Sequence, residues 1–392
     1  MLYMSGSSNF PPLLEKIAPA ISASLAAQGL PPIVPVFKTT SSCAGVQSVY
    51  PDQSKLATTP PTYSALHTIH DPTSATDSYP QYFDPVAKQL SSCSLGAAGA
   101  PIDIGESEIF PETCSMTRDD VDVSETLGPK LAILFVAPAY TDQRVISSEA
   151  AREVFGAGGL APWTVPSLFY VRGSGTATLQ LISRQIGVAP TKFWGIDQGT
   201  AQALAENLGA IFDPSVARQA IGILGADFYD GNRATLKTLA FQATAQDCAY
   251  TPDSNSNSLI VARDKLNVRD GHYPIWGSVH LFSVKINGQA LSSTVTNFAG
   301  LFGAPRLPVD MLDAFIDASF VPDCAMRVRR ESELGPLTSA APVVSCECHF
   351  DSRVSQSPNF VPPGCTPCTD NSNCADPNKP ECIYSFCENA SQ

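Results

Sequence analysis

The sequence predicts an α/β protein with a small disulfide-rich module at its C-terminus, and three observations lead to this prediction. The chain has 392 residues, of which 44% are hydrophobic and 16% charged, enough for two or three domains with their own cores. Strand-like and helix-like segments alternate between about residues 130 and 270, which is typical of α/β layers. Seven of the 12 cysteines fall in residues 346–392, a segment too short for an ordinary core.

The individual elements follow from apolar spacing and turn residues. Residues 12–27 have helical spacing, with Pro11 and Pro12 at the start and Gly29 just past the end. Residues 131–136 form a continuous apolar run, which predicts a strand buried on both faces of a parallel sheet. The same criteria predict helices over 148–155, 176–186 and 310–320, and strands over 168–171 and 279–286.

Charge and cysteine content narrow the range of functions. Lys and Arg number 24 against 37 Asp and Glu, a net charge of −13. Such a surface repels nucleic acid and anionic lipid, so neither is expected as a partner. The even cysteine count is typical of an oxidising compartment. No segment reaches the roughly 20 apolar residues of a membrane span, and no signal peptide follows Met1. We therefore expect a mature or truncated chain whose export signal was removed.

Two segments place small polar residues directly before a predicted helix. Residues 5–12 read SGSSNFPP, and residues 172–176 read RGSGT. Backbone N–H groups at a helix amino end, with hydroxyls beside them, form an anion site, and Arg172 adds a permanent cation. The alternatives are a simple N-cap in the first segment and a glycine-rich turn in the second.

Two further segments add hydroxyls and carboxylates. Residues 39–46, TTSSCAGV, again precede a possible helix, and residues 102–108, IDIGESE, end a predicted strand with acids. A carboxylate can accept the proton of hydrogen phosphate while it repels fully ionised anions such as sulfate. A solvated loop is the alternative for these acids.

Taken in order, the motifs resemble those of the phosphate-binding periplasmic receptor family, the type II solute-binding proteins of phosphate ABC importers. The resemblance spans about residues 3–330, through segments 6–11, 41–46, 103–108, 145–155 with Trp163, 172–176, 221–224 and 268–274. It implies a two-lobed periplasmic-binding-protein-like (type II) fold with a hinge. Residues 1–128 would form the first part of lobe I, 129–270 lobe II, 271–335 the return to lobe I, and 336–392 a linker and Cys-rich tail.

The resemblance also implies a ligand site. Asn9 and Phe10 match the family's first-loop pair, Glu108 stands where the family has a proton-accepting Asp, and Arg172 looks like its charge-balancing arginine. Asn9 replaces a hydroxyl, Glu108 is one methylene longer, and Cys43 stands where a small residue or serine is usual. The implied ligand-binding residues are Ser8, Asn9, Phe10, Ser41, Ser42, Glu108, Arg172, Ser174, Gly175 and Thr176.

Catalytic and metal-binding interpretations have little support. His67 and His70 lie in a Pro, Thr and Ser-rich segment, which predicts a surface role, and His272 and His280 flank a predicted strand. No nucleophile–base motif is recognisable, so we expect no enzyme, no catalytic residues and no cofactor. The CxxC spacing of residues 365–368 would suit zinc, but the exported context favours disulfides and no metal.

The predicted function is an exported solute-binding protein that captures phosphate, or a similar tetrahedral oxyanion, in the interlobe cleft for ABC-type uptake. Its partners would be inorganic phosphate and an ABC permease, and we expect a monomer without a transmembrane segment. The expected location is periplasmic or extracellular, with a lipid or surface anchor left open. The alternative is a secreted or surface interaction or scaffold protein with a vestigial cleft and an adhesive Cys-rich tail.

Overall fold

The computed structural model describes residues 1–50, 67–74, 77–116, 122–254, 263–286, 289–290, 292–355, 357 and 360–389. Contacts divide the chain into two compact units. Unit 1 comprises Met1–Pro129, Gly175–Ala177 and Ser278–Ala314, and unit 2 comprises Lys130–Ser174, Thr178–Gly277 and Phe315–Gln392. The assignment of these parts to lobes, return segment and tail stays a prediction.

The predicted elements are present, and most of their ends differ from the prediction by at most three residues, but the strand predicted over 131–136 extends from Val123 to Pro138. The strands are β1 (Leu2–Gly6), β2 (Pro35–Thr39), β3 (Thr68–Ile69), β4 (Gln81–Asp84), β5 (Gln89–Ser92), β6 (Ala100–Pro101), β7 (Ile104–Ser107), β8 (Val123–Pro138), β9 (Val145–Ser147), β10 (Phe169–Val171), β11 (Ile196–Asp197), β12 (Ile221–Gly225), β13 (Leu236–Thr238), β14 (Ala240–Gln242), β15 (Trp276–Ile286), β16 (Gln289–Ala290), β17 (Val328–Arg329), β18 (Thr338–Ser339), β19 (Glu381–Ile383) and β20 (Phe386–Glu388). The helices are α1 (Phe10–Ala27), α2 (Ser42–Gln47), α3 (Ser148–Ala157), α4 (Ala177–Ile186), α5 (Ala201–Gly209), α6 (Pro214–Ala217), α7 (Ala226–Tyr229), α8 (Leu266–Arg269), α9 (Ser293–Gly303), α10 (Val309–Asp317) and α11 (Glu347–Val354).

Unit 1 is built on a mixed sheet with the strand order β5–β4–β2–β1–β7–β15. Strand β1 pairs in parallel with β2 and with β7, whereas β4 and β15 run antiparallel to their neighbours β2 and β7. Helix α1 buries its apolar stripe of Leu13, Ile17, Ile21 and Leu25. The three parallel strands β7, β1 and β2 therefore end at one edge of this sheet, which is where the polar motifs follow them.

Unit 2 has its own strand order, β11–β10–β12–β8, and β13 also pairs with β8. Residues 130–138 of β8 are buried throughout, as their apolar run predicts. The predicted parallel pairing of this strand is wrong, because β8 runs antiparallel to both β12 and β13. A continuous apolar run indicates that a strand is buried on both faces. An antiparallel strand that is packed on both faces has the same run, so the run does not determine strand direction.

A closed network of four charges lies in the core of unit 2. Arg233 contacts Asp230 at 2.5 Å and Asp253 at 2.7 Å, and Lys265 contacts the same two carboxylates at 2.8 and 3.1 Å. All four side chains are at most 5% exposed. Each cation contacts both carboxylates, so the charges balance. Because Asp230 directly follows α7 and Lys265 directly precedes α8, the network joins the end of α7 to the start of α8.

Replacement of Lys265 by Met should be strongly destabilising. The change leaves two buried carboxylates to share one guanidinium, and breaking a buried ion pair typically costs about 3–5 kcal/mol. Urea unfolding of Lys265→Met against the wild type measures the loss. Arg218→Met is the control, because its pair with Asp142 is exposed and 3.8 Å long and should be worth at most about 1 kcal/mol. Equal stability of Lys265→Met and the wild type would contradict the expectation.

The C-terminal segment is cross-linked by disulfides, as the cysteine pattern predicts. The pairs are Cys324–Cys346, Cys348–Cys365, Cys368–Cys382 and Cys374–Cys387. The sulfurs of Cys368, Cys374 and Cys387 lie within 4.8 Å of one another, but each is already in a disulfide. Disulfide sulfurs are not thiolates, so this group does not provide the ligands that zinc requires.

The cysteine-rich tail packs against the rest of unit 2 through helix α11. Arg269 is fully buried, and its guanidinium contacts the Asp351 carboxylate at 2.5 Å and lies 4.9 Å from the Phe350 ring centroid. Arg327 pairs with Glu347 at 2.7 Å, and Cys324–Cys346 adds a covalent link. Deletion of the tail would therefore leave Arg269 without its carboxylate partner.

Candidate functional site

Three polar segments meet where the parallel strands β1, β2 and β7 end. The register places Gly6 beside Thr39 of β2 and beside Glu106 of β7. The residues that follow are the loop before α1, the first turn of α2, and Glu108. Because the carboxyl ends of parallel strands share one edge of a sheet, residues far apart in sequence become neighbours there.

Glycines allow the backbones to close tightly around Glu106. A Cβ added to Gly6 would lie 2.2 Å from the Glu106 carbonyl oxygen, and one added to Gly45 would lie 2.1 Å from the same atom. Such distances exclude any side chain at either position. The disulfide Cys43–Cys114 further ties α2 to the segment after β7, which fixes the second loop beside Glu108.

The Glu108 carboxyl receives a hydrogen bond from the first turn of α2, and side chains of the loop before α1 lie near it. The Ser42 hydroxyl donates to its Oε2 atom over 3.1 Å. The side chains of Ser7 and Asn9 also interact with this carboxyl and oppose the rise of its pKa. Glu108 is only 1% exposed, so these neutral groups take the place of water around it.

Residues 175–177 belong to unit 1 and complete this cluster. The Ala177 N–H donates to Ser42 Oγ over 2.9 Å, and the Cys43 N–H donates to the Gly175 carbonyl over 3.4 Å. A Cβ added to Gly175 would lie 2.9 Å from Ser41 Oγ. Gly175 therefore permits the close approach of this segment to α2.

The N–H groups at the amino end of α1 are engaged within the protein. The Asn9 N–H donates to Ser7 Oγ over 3.1 Å, and the Phe10 N–H donates to the Ser7 carbonyl over 3.2 Å. The next two residues, Pro11 and Pro12, have no N–H. The sequence predicts free backbone N–H donors here, but those of Asn9 and Phe10 are already bonded and the two prolines have none. A ligand at this helix end would therefore depend mainly on side-chain donors.

Glu106 lies beneath this cluster and is completely buried. Its Oε2 atom accepts a hydrogen bond of 2.9 Å from the Ser7 N–H, whereas its Oε1 atom has no partner. The Oδ1 atom of Asn9 is likewise buried and without a partner. Among the described residues, no Lys or Arg forms a salt bridge to Glu106 or Glu108. Within the part of the chain that the structure describes, no salt bridge therefore balances the negative charge of these two acids.

Both acids titrate abnormally because of their surroundings. Burial raises the pKa of Glu106 well above its usual range, and the nearby negative charge of Glu108 raises it further. Burial also raises the pKa of Glu108, but the neighbouring side chains of Ser7 and Ser42 oppose the shift. Of the two, Glu106 keeps its proton to higher pH, since it has fewer donors to stabilise its anion.

The remaining predicted residues have different surroundings. Arg172 belongs to unit 2, is 2% exposed, and donates from Nη2 to the Gly199 carbonyl over 3.3 Å. Ser174 is also in unit 2 and is exposed. Ser41 caps α2 by accepting the Ala44 N–H over 3.2 Å. Ser8 and Thr176 are half-buried residues of unit 1, and the Phe10 ring packs in the core 4.9 Å from that of Phe37.

Three residues of this cluster, namely Ser7, Glu106 and Ala177, are not among the ligand-binding residues predicted from the sequence. Ser7 and Glu106 lie inside the predicted polar segments 5–12 and 102–108. Strand alternation contained a usable signal, because Glu106 and Glu108 are two residues apart and so project from one face. Ala177 contributes only its N–H, which no side-chain pattern reveals.

Two histidine predictions need correction. His67 is buried, and its Nδ1 atom is hydrogen-bonded to the Ser48 carbonyl, so the predicted surface role is wrong. His280 lies inside β15 and does not flank it. Its Nδ1 atom is 2.5 Å from a carboxylate oxygen of Glu125, and its ring stacks against Phe282. Both histidines take part in packing within unit 1.

A groove of about 610 Å³ lies elsewhere in unit 1, along the outer side of α1. Apolar residues such as Ile33 and Phe83 line it, with Lys16 and Lys88 among its polar residues. None of the residues around Glu108 contributes to it. The cluster of acids and donors is therefore distinct from this open groove.

Comparison with known proteins identifies the fold. No family model matches the chain, and no curated protein matches it significantly. A structure from Clostridium perfringens, assigned as a phosphate ABC transporter substrate-binding protein with bound phosphate, aligns with a TM-score of 0.51 at 10% identity, covering 82% of this chain and 98% of that one. An ABC-type phosphate transport receptor from Vibrio cholerae aligns with a TM-score of 0.48 at 10% identity, covering 82% and 99%.

The chain has a periplasmic-binding-protein-like α/β fold with a disulfide-rich C-terminal segment. This statement rests on the Clostridium perfringens structure and on the disulfides of residues 324–387. Five disulfides indicate an oxidising compartment. Within the described residues, no helix has both the length and the apolar character needed to span a membrane.

Replacement of Glu106 by Gln should change how stability depends on pH. The raised pKa of Glu106 means that the folded protein holds a proton that the unfolded chain releases above its usual pKa of 4.5. Wild-type stability should therefore fall as pH rises from 4.5 toward the folded pKa, by up to about 1.4 kcal/mol per pH unit. The stability of Glu106→Gln should not fall in this way, because glutamine has no proton to release.

Urea unfolding of both proteins between pH 4 and pH 8 provides the measurement. The stability of Glu106→Gln relative to the wild type should increase from pH 4.5 up to the folded pKa of Glu106 and stay constant above it. A difference that stays constant with pH would show that Glu106 has an ordinary pKa in the folded protein.

Proposed function

We propose that the chain is an exported, non-enzymatic solute-binding protein that captures phosphate or a similar tetrahedral oxyanion. The observation that supports this most is the convergence of side-chain donors from Ser7, Asn9 and Ser42 beside the acid Glu108. The fold supports it further, since the Clostridium perfringens structure with that fold contains bound phosphate. The site would lie at the edge of the unit 1 sheet, where β1, β2 and β7 end.

The donor set suits a small anion that carries a proton. Hydroxyl and amide donors form short, strong hydrogen bonds to phosphate oxygens. Glu108 would accept the ligand's O–H, and its negative charge would disfavour sulfate, which has no proton to offer. Arg172, Ser174 and Thr176 remain predicted ligand residues. An ABC permease as partner, a monomeric state and a periplasmic or extracellular location are parts of the same proposal.

Isothermal titration with phosphate tests the proposal directly, with sulfate and arsenate as comparison ligands. The wild type should bind phosphate, and Ser42→Ala should weaken binding by about 10- to 100-fold, the usual worth of a hydrogen bond to a charged group. Ser48→Ala is a matched control. Ser48 is a buried serine at the other end of α2, and its hydroxyl donates to the Gly45 carbonyl over 2.7 Å.

Phosphate affinity should be unchanged in Ser48→Ala. If Ser42→Ala bound phosphate as tightly as the wild type, the proposed site would be wrong. Thermal unfolding of both variants would show whether a loss of binding reflects a loss of folded protein.

A secreted interaction or scaffold protein with a vestigial cleft is the second candidate. The observation that favours it is that the Ser42 hydroxyl already donates to a carboxyl of the chain itself, that of Glu108. Under this alternative no oxyanion binds to the wild type or to any variant of Glu108. Tail deletion is a poor discriminator, because it also removes Asp351 from the buried Arg269.

A further inference from the structure

We infer that Glu108 is a built-in competitor of the site, whose carboxyl occupies the Ser42 hydroxyl donor that an oxyanion needs and must leave it for the oxyanion to bind. This inference rests on the proposed function and adds a regulation of the same site. It goes beyond a role for Glu108 as acceptor of the ligand's proton, because it assigns to Glu108 the position of the ligand itself.

The Ser42 hydroxyl has a single O–H to donate. It donates this proton to Glu108, and its oxygen accepts the Ala177 N–H. The hydroxyl therefore has no second proton for an oxyanion, so the carboxyl and the ligand exclude each other at this donor.

The Glu108 carboxyl resembles the proposed ligand chemically. An ionised carboxylate presents two oxygens with lone pairs, much as one edge of a phosphate does. The Ser42 hydroxyl of α2 donates to the carboxyl, which reaches it from the end of β7, and the side chains of Ser7 and Asn9 lie near it. A side chain of the protein thus takes the position of the proposed oxyanion.

The length of the Glu108 side chain allows its carboxyl to reach Ser42. Glutamate is one methylene longer than aspartate, and this extra reach brings the carboxyl to 3.1 Å from Ser42 Oγ. Aspartate at position 108 would withdraw the carboxyl by roughly one bond length along the chain. The aspartate carboxyl would still lie at the site as an acceptor, but it would release the proton of the Ser42 hydroxyl for a ligand.

The charges around Glu108 set the direction of the pH dependence. Glu106 is the titratable group facing it from β7, while Ser7, Asn9, Ser42 and the Ala177 N–H face it from the other segments as neutral groups. When Glu108 is ionised it both holds the donors and repels an anion. Its raised pKa places proton uptake above the usual range, so affinity for a fully ionised anion should rise as pH falls.

The test compares the wild type with Glu108→Asp by isothermal titration with phosphate at pH 7. We expect phosphate affinity to increase about tenfold in Glu108→Asp, since donors become available without displacement of a carboxyl. The matched control is Glu112→Asp, the same change at an exposed position four residues along the chain, which should leave affinity unchanged. Thermal unfolding establishes that each variant is folded.

A sulfate titration between pH 5 and pH 8 provides an independent measurement, because sulfate does not titrate in this range. Wild-type affinity for sulfate should fall as pH rises, whereas the fall should be shallower in Glu108→Gln, in which position 108 cannot ionise and only Glu106 still titrates beside the site. This variant also keeps the inference testable should Glu108→Asp fail to fold.

The outcomes separate the inference from the function on which it rests. Phosphate binding by the wild type that is as tight as, or tighter than, binding by Glu108→Asp overturns the competitor role and leaves the proposed function standing. A pH-independent sulfate affinity in the wild type overturns it as well. Absence of oxyanion binding in the wild type and in both Glu108 variants overturns the proposed function, and the competitor role with it.

Discussion

The hydrogen bond from Ser42 to Glu108 is the interaction on which the site depends. It joins the start of α2 to the end of β7, and Ser42 also accepts the N–H of Ala177, the first residue of α4. A buried carboxyl without a cation is costly unless neutral polar groups surround it. Here the Ser42 hydroxyl donates to the acid and the side chains of Ser7 and Asn9 lie near it, so the same groups stabilise the acid and define the proposed ligand chemistry.

The fold places these atoms within reach of one another. Parallel pairing of β7, β1 and β2 brings three chain segments to one edge, and Gly6 and Gly45 let the backbones close around Glu106. The Cys43–Cys114 disulfide holds the second loop in position. Unit 2 is stabilised differently, by the buried network around Asp230 and Asp253 and by the docked tail helix α11.

Much of the fold could be predicted from the sequence, because apolar spacing and Pro and Gly positions directly specify elements such as α1, α4 and β8. Strand direction could not, since burial is the same for parallel and antiparallel neighbours. At the site, Ser42 and Glu108 come from different motifs and are in contact, while the role of the motif residues in ligand binding stays a prediction. Their hydrogen-bond partners were not predictable, because pairing a hydroxyl with an acid 66 residues away requires the three-dimensional register.

A crystal structure of the protein grown with saturating phosphate would show whether Glu108 competes with the ligand. Phosphate oxygens are expected within hydrogen-bonding distance of Ser42 Oγ, with the Glu108 carboxyl displaced from that atom. Phosphate bound at this sheet edge while Glu108 still accepts the Ser42 hydroxyl would contradict the competitor role.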